Sequence, residues 1–231
     1  IGYSFGSMGT VTVSGAGARF TVPSLYVGNS GTGILNITGG GVVTTSMVGG
    51  FGSTTTIGNN TGSAGTVTVS GMGSRWNATS LNVGGNGSGT LNIASGGLVD
   101  VSGSTLLPTG GGQGTINFDG GMLATKTLLL SNFNSLTGTG TINTKGLITN
   151  GNLSFDQTHG PHQIILLNSQ PNQNVTLDLD MNGTGDLGAG YNGQGTLSIA
   201  EGVTVTSASG YLGYSAGSTG TATVTAVFPN T

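Results

Sequence analysis

Cysteine is absent from this 231-residue chain, so neither a disulfide framework nor a thiolate metal site belongs to its design. Charge is almost absent too: Asp, Glu, Lys and Arg make up 5% of the residues, against roughly 25% in an ordinary soluble domain. Four Lys plus Arg cannot build the basic face that neutralises phosphates, which excludes nucleic acid as a partner. A formal charge of -3 excludes an acidic solvating tail. No run approaches the ~18 apolar residues of a membrane span, and no basic start followed by an apolar stretch reads as a signal peptide. Ile1 opens within a repeat pattern, as it would if an upstream segment had been removed. No stretch carries the i, i+3, i+4 apolar spacing of a helix, so a capping helix is not expected.

What the chain has in abundance is glycine, 48 residues, about three times the usual ~7%. These glycines follow no strict three-residue period, which excludes collagen. The 34% of hydrophobic residues recur in a pattern rather than at random, which excludes plain disorder. Residues 9–43, GTVTVSGAGARFTVPSLYVGNSGTGILNITGGGVV, align without a gap on residues 65–99, GTVTVSGMGSRWNATSLNVGGNGSGTLNIASGGLV. Roughly 21 of 35 positions agree, the mark of an internal duplication. Inside it lies a finer unit, Gly-Thr-apolar-polar-apolar, which starts at Gly9, Gly65, Gly89, Gly114, Gly195 and Gly220, with looser copies at Gly33 and Gly140. Most starts are spaced about 24 to 26 residues apart.

In each copy the residues alternate: Val11 and Val13 face one way, Thr10 and Thr12 the other. Period two predicts strands with one buried face. Clusters such as Gly28-Asn29-Ser30-Gly31 and Gly84-Gly85-Asn86-Gly87 supply tight corners. A unit of this size cannot bury its apolar face alone, so the period predicts a β-solenoid in which each coil of roughly 24 residues stacks on the last with parallel strand pairing. An antiparallel sandwich also has many short strands and glycine-rich turns, but a near-exact internal period favours the solenoid. Asn36 and Asn92 are candidates for an amide ladder between coils. The whole chain, 1–231, reads as one such domain, widened over about 150–182 where His159, Pro161, His162 and Pro171 interrupt the pattern.

The stretches SLYVGNSGTGILNITGGG (24–41), SLNVGGNGSGTLNIASGG (80–97) and GYLGYSAGSTGTATV (210–224) resemble the passenger repeats of bacterial autotransporter-like surface proteins. The less regular part, FDQTHG through LDLDMNG, resembles large repeat proteins that carry a C-terminal sorting anchor. The resemblance implies a secreted or surface-exposed right-handed parallel β-helix concerned with adhesion, matrix or surface structure. No membrane barrel or anchoring helix stands at the C-terminus of these residues.

Residues 1–13, IGYSFGSMGTVTV, and 212–224, LGYSAGSTGTATV, occupy the same phase of the repeat. Their match predicts that the last coil of one subunit stacks on the first of the next, a head-to-tail homopolymer that extends as an open filament. Ile1, Tyr3, Val11, Val13, Tyr211, Tyr214 and Val224 are the expected assembly interface. The competing reading is a fragment cut from a longer repeat array. The expected function is structural and extracellular, a fibre or sheath subunit. The alternative is an adhesin passenger that binds carbohydrate or other cells, with a polysaccharide or a second surface filament as partner.

Chemistry is sparse. Asp178, Asp180, Asn182 and Asp186 fall at the first, third, fifth and ninth places of a calcium loop, but Ala189 stands where its bidentate Glu belongs. Two solvated carboxylates before a glycine-rich turn is the plainer account. Asp178 with Asp180 is the one close acidic pair a glycosidase could use, with no basic cluster beside it, so no catalysis is expected. His159 and His162 frame a Gly-Pro turn and are not expected to bind metal; no cofactor is expected. Arg19-Phe20 and Arg75-Trp76 match across the duplication, with each Arg and ring on opposite faces. Thr-x-Thr pairs at Thr10/Thr12, Thr54/Thr56, Thr66/Thr68 and Thr221/Thr223 predict outward hydroxyl rows.

Overall fold

A computed structural model describes residues 1–46, 55–108 and 111–226. The fold is all-β, and the ladders described below are parallel. No α-helix occurs among the described residues; a single 3-10 turn covers Phe133–Ser135. The chain divides into two compact units. The first comprises Ile1–Thr125, Asn134–Ile142 and Leu166–Thr176; the second comprises Lys126–Phe133, Asn143–Ile165 and Leu177–Thr231.

The first unit holds three ladders, one for each short strand that the alternating pattern defines. In the longest, Met8–Ser14 pairs with Thr32–Thr38, which pairs with Ala64–Ser70, then with Ser88–Ala94, then with the start of Gln113–Leu130. The glycines of the repeat lie directly over one another, Gly9 on Gly33, Gly65, Gly89 and Gly114, so the register advances by 24, 32, 24 and 25 residues. A second ladder joins Arg19–Val22, Val42–Thr45, Arg75–Ala78 and Leu98–Val101. A third joins Leu25–Val27, Thr55–Ile57 and Leu81–Val83, with Thr105 and Leu106 following over Leu81 and Asn82. Parallel pairing throughout these ladders rules out the antiparallel sandwich for them.

Stacking places like on like. Leu35, Val67, Leu91 and Ile116 form one buried column, and Val43, Trp76 and Val99 another. Hydroxyls that fall inside find each other: Thr55 donates to Thr45 at 3.0 Å and Thr105 to Thr125 at 3.0 Å, as buried polar groups must. Two glycines show why the repeat needs this residue. A Cβ on Gly65 would lie 2.0 Å from the Val27 carbonyl oxygen of the strand end beneath it. Gly28 turns its corner at φ 72°, and a Cβ there would lie 2.2 Å from the Ala64 carbonyl oxygen.

Three expectations are corrected here. Asn36 and Asn92 do not touch, because Thr68 lies between them in the column; amide pairs form instead between Asn117 and Asn92, 2.9 Å, Asn59 and Asn29, 2.8 Å, and Asn150 and Asn192, 2.9 Å. Gly140 leaves the glycine column: a Cβ there would strike the Phe118 side chain, while Thr137 Oγ1 donates to Asn117 Oδ1. Thr56 is buried rather than outward, while Thr54 lies outside the described residues.

Two parallel ladders run through the second unit. Leu128–Leu130, Leu147–Thr149, Leu187–Ala189 and Gly210–Leu212 form one; Asn152–Phe155, Gln194–Ile199 and Thr219–Val224 form the other. Here Leu187 stands over Leu147, 40 residues on, and the stretch that the sequence marks as irregular, about 150–182, holds the paired strand Asn152–Phe155 and two further strands, His162–Leu167 and Gln173–Asp180. Leu128, Leu147, Phe155 and Ala189 fill its core.

Candidate functional site: two open sheet edges

In the first unit, Ile1–Tyr3 lie under the corner at Gly28. Gly28 N–H donates to the Ile1 carbonyl at 2.9 Å, Asn29 N–H to Gly2 at 3.0 Å, and Ser30 N–H to Tyr3 at 3.1 Å. That uses one side of the segment. On the other side the amides of Gly2, Tyr3 and Ser4 meet no acceptor among the described residues, and Met8–Ser14 pairs with Thr32–Thr38 alone. The apolar side chains here lie open: Tyr3 is 72% exposed and Phe5 93%, and Met8 is exposed as well. Ile1 and Val11 are half-buried, and Val13 is buried within the unit beneath Ile37. Of the four interface residues expected at this edge, Tyr3 is the one that presents its side chain freely.

In the second unit, the corner after Gly210–Leu212 repeats the same bonds one coil on. Gly213 N–H donates to Ala189 at 3.0 Å, Tyr214 N–H to Gly190 at 2.8 Å, and Ser215 N–H to Tyr191 at 2.9 Å. The carbonyls of Gly213 and Tyr214 receive no donor among the described residues, and Thr219–Val224 pairs with Gln194–Ile199 alone. Val224 is 74% exposed; Tyr211 and Tyr214 are 37% and 42% exposed. Tyr214 packs on buried Tyr191 with ring centroids 5.6 Å apart, and Tyr211 meets Tyr214 edge-on at 5.1 Å. Burial pushes the Tyr191 hydroxyl up to about 12, with neighbouring Tyr214 adding to the effect. Burial also raises Tyr214, reinforced by Tyr211 and the Asp186 carboxylate.

The sequence singles out Tyr211 and Tyr214 but misses Tyr191, which forms the base of the cluster. Its signal is present: Ala189-Gly190-Tyr191-Asn192 repeats the small-or-aliphatic, Gly, Tyr, polar order of Leu212-Gly213-Tyr214-Ser215 and Ile1-Gly2-Tyr3-Ser4.

The charged candidates do not converge. Asp178 accepts from His162 Nε2 at 2.8 Å, Asp180 from Asn182 Nδ2 at 3.0 Å, and Asp186 Oδ2 from Thr127 Oγ1 at 3.5 Å. The three carboxylates thus have separate partners, and no group of three or more His, Cys, Asp or Glu among the described residues is placed to hold a metal ion. Asp156 caps the turn before His159: its Oδ1 accepts from the N–H groups of His159 and Thr158 at 2.7 and 2.9 Å. The His159 amide, then its ring and the Thr158 amide, holds the Asp156 carboxyl below its ordinary range. Trp76 is fully buried while Arg75 pairs outside with Asp100 and Asn77, so ring and guanidinium do take opposite faces. No helix among the described residues is long and apolar enough to cross a membrane. The sequence matches no protein-family model, and neither a curated protein nor a solved structure matches it.

Proposed function

We propose that this chain is an exported structural protein, a right-handed parallel β-helix with coils of roughly 24 residues, whose copies stack head to tail into a surface fibre or sheath. One observation carries the reading: two edge segments in the same phase of the repeat carry complementary unpaired groups. Among the described residues, donors without an acceptor stand at Gly2–Ser4, and acceptors without a donor at Gly213 and Tyr214. An unpaired edge strand is a template for a further strand, and a heterologous contact between different faces of one subunit propagates without closing. The scarcity of charge supports it, because little electrostatic repulsion opposes strand addition at either edge. The passenger-like repeats at 24–41, 80–97 and 210–224 support export and a surface location.

Negative-stain electron microscopy of the purified chain at rising concentration tests this. Unbranched filaments that lengthen with concentration are expected; dispersed short particles at every concentration would refute the stacking. A second reading, an adhesin that binds carbohydrate, is favoured by the half-exposed Tyr211–Tyr214 pair, whose rings offer a surface for sugar stacking. Glycan-array binding that is lost in Tyr211→Ala distinguishes it.

A further inference from the structure

The stacking reading above leaves open what sets the register of the junction, and the tyrosines answer that. The chain has five tyrosines, and three of them, Tyr3, Tyr191 and Tyr214, occupy the same position of the corner, directly after its glycine. In the second unit these positions stack ring on ring, Tyr214 over Tyr191. In the first unit the column above Tyr3 changes chemistry. It continues with Asn29 and Asn59, joined amide to amide at 2.8 Å, and Asn29 Nδ2 reaches only the backbone carbonyl of Tyr3, at 3.3 Å. Tyr3 therefore matches the column of the second unit and not its own, and its ring lies 72% exposed.

We propose that the junction between copies is a tyrosine column: Tyr3 of a second copy packs on Tyr214, which already packs on Tyr191, so that Ile1–Ser4 seat over Leu212–Ser215. The inference rests on head-to-tail stacking and adds its partner residues. The backbone agrees. Extending the bonds that Gly213, Tyr214 and Ser215 make to Ala189, Gly190 and Tyr191, the second copy's Gly2, Tyr3 and Ser4 amides would donate to Leu212, Gly213 and Tyr214. The two free carbonyls and the free amides are used together. A slip of one residue would turn Tyr3 away from Tyr214, leaving the Tyr3 ring in water and the exposed part of Tyr214 uncovered.

The chain has no native cysteine, so introduced pairs report the register directly. Stacked residues about 4.8 Å apart fall within disulfide range. In the full chain, Ser4→Cys with Ser215→Cys is expected to give a ladder of disulfide-linked oligomers on mild oxidation. Ser4→Cys with Thr219→Cys, out of register, is expected to link at least about tenfold more slowly. In the otherwise native chain, Tyr3→Ala is expected to weaken association up to about tenfold while Tyr3→Phe preserves it. If the native chain forms filaments but both cysteine pairs link equally, or Tyr3→Ala associates normally, the tyrosine junction is wrong and the stacking reading survives. If the native chain does not associate at all, both fail.

Discussion

The two units solve one problem by different means. In the first, glycine sits on glycine and the repeat stacks backbone on backbone, with apolar columns inside and like side chains bonding to one another, as Asn59 does to Asn29 and Thr55 to Thr45. In the second, the register jumps by 40 residues between Leu147 and Leu187, and side chains take over what the repeat no longer supplies. Asn150 Oδ1 accepts from the amides of Asn192 and Gly193 at 3.1 and 3.0 Å, Thr127 Oγ1 from Asp186, and Asp156 from Thr158 and His159. Where periodicity lapses, backbone donors that no neighbouring coil meets still find acceptors, and Asn, Asp and Thr provide them locally.

The sharpest way to break this contrast is to attack the first unit's columns. Trp76→Ala removes its largest fully buried side chain and is expected to destabilise the unit by about 3–5 kcal/mol, read from urea melts followed by circular dichroism. Next comes the glycine column. Gly65→Ala forces a methyl against the Val27 carbonyl and is expected to cost about 1–3 kcal/mol. Gly160→Ala, whose added Cβ meets nothing within 4 Å, should leave the same melt unmoved.

The second unit is expected to respond to pH instead. Tyr191 ionises near 12 when folded against about 10 when unfolded. Between these values the unfolded chain releases the proton first, so stability is full below about pH 10 and falls as pH rises towards 12. Alkaline melts of Tyr191→Phe should lose that part of the slope. The smallest effect belongs to Asp156. Its folded carboxyl lies below its ordinary value, so its contribution is present above the unfolded carboxylate pKa and is lost as pH falls through the folded one. Faster hydrogen exchange at Thr158 and His159 in Asp156→Asn, with little change in the global melt, is the expected reading.

Much of the first unit was legible because its constraint is periodic. Gly9, Gly33, Gly65, Gly89 and Gly114 fall in register because each must admit a neighbouring backbone, and alternation fixes which residues lie inside. Gly140 misled because a Gly-Thr-apolar string looks alike whether it faces a glycine or Phe118. Asn36 and Asn92 share their place in the duplication, but the duplication spans two steps, so Thr68 intervenes. The candidate edges were visible as matching phrases, yet Tyr191 was not, since its role depends on the ring placed above it. The carboxylates of Asp178, Asp180 and Asp186 spell a calcium loop only in one dimension; strand geometry gives each a different partner.

Fibre diffraction from an aligned, concentrated sample tests head-to-tail stacking most directly. Continuous parallel ladders running from copy to copy predict a reflection at about 4.8 Å along the filament axis. Sedimentation as a 22.5 kDa monomer at every concentration, with no such reflection, would contradict it.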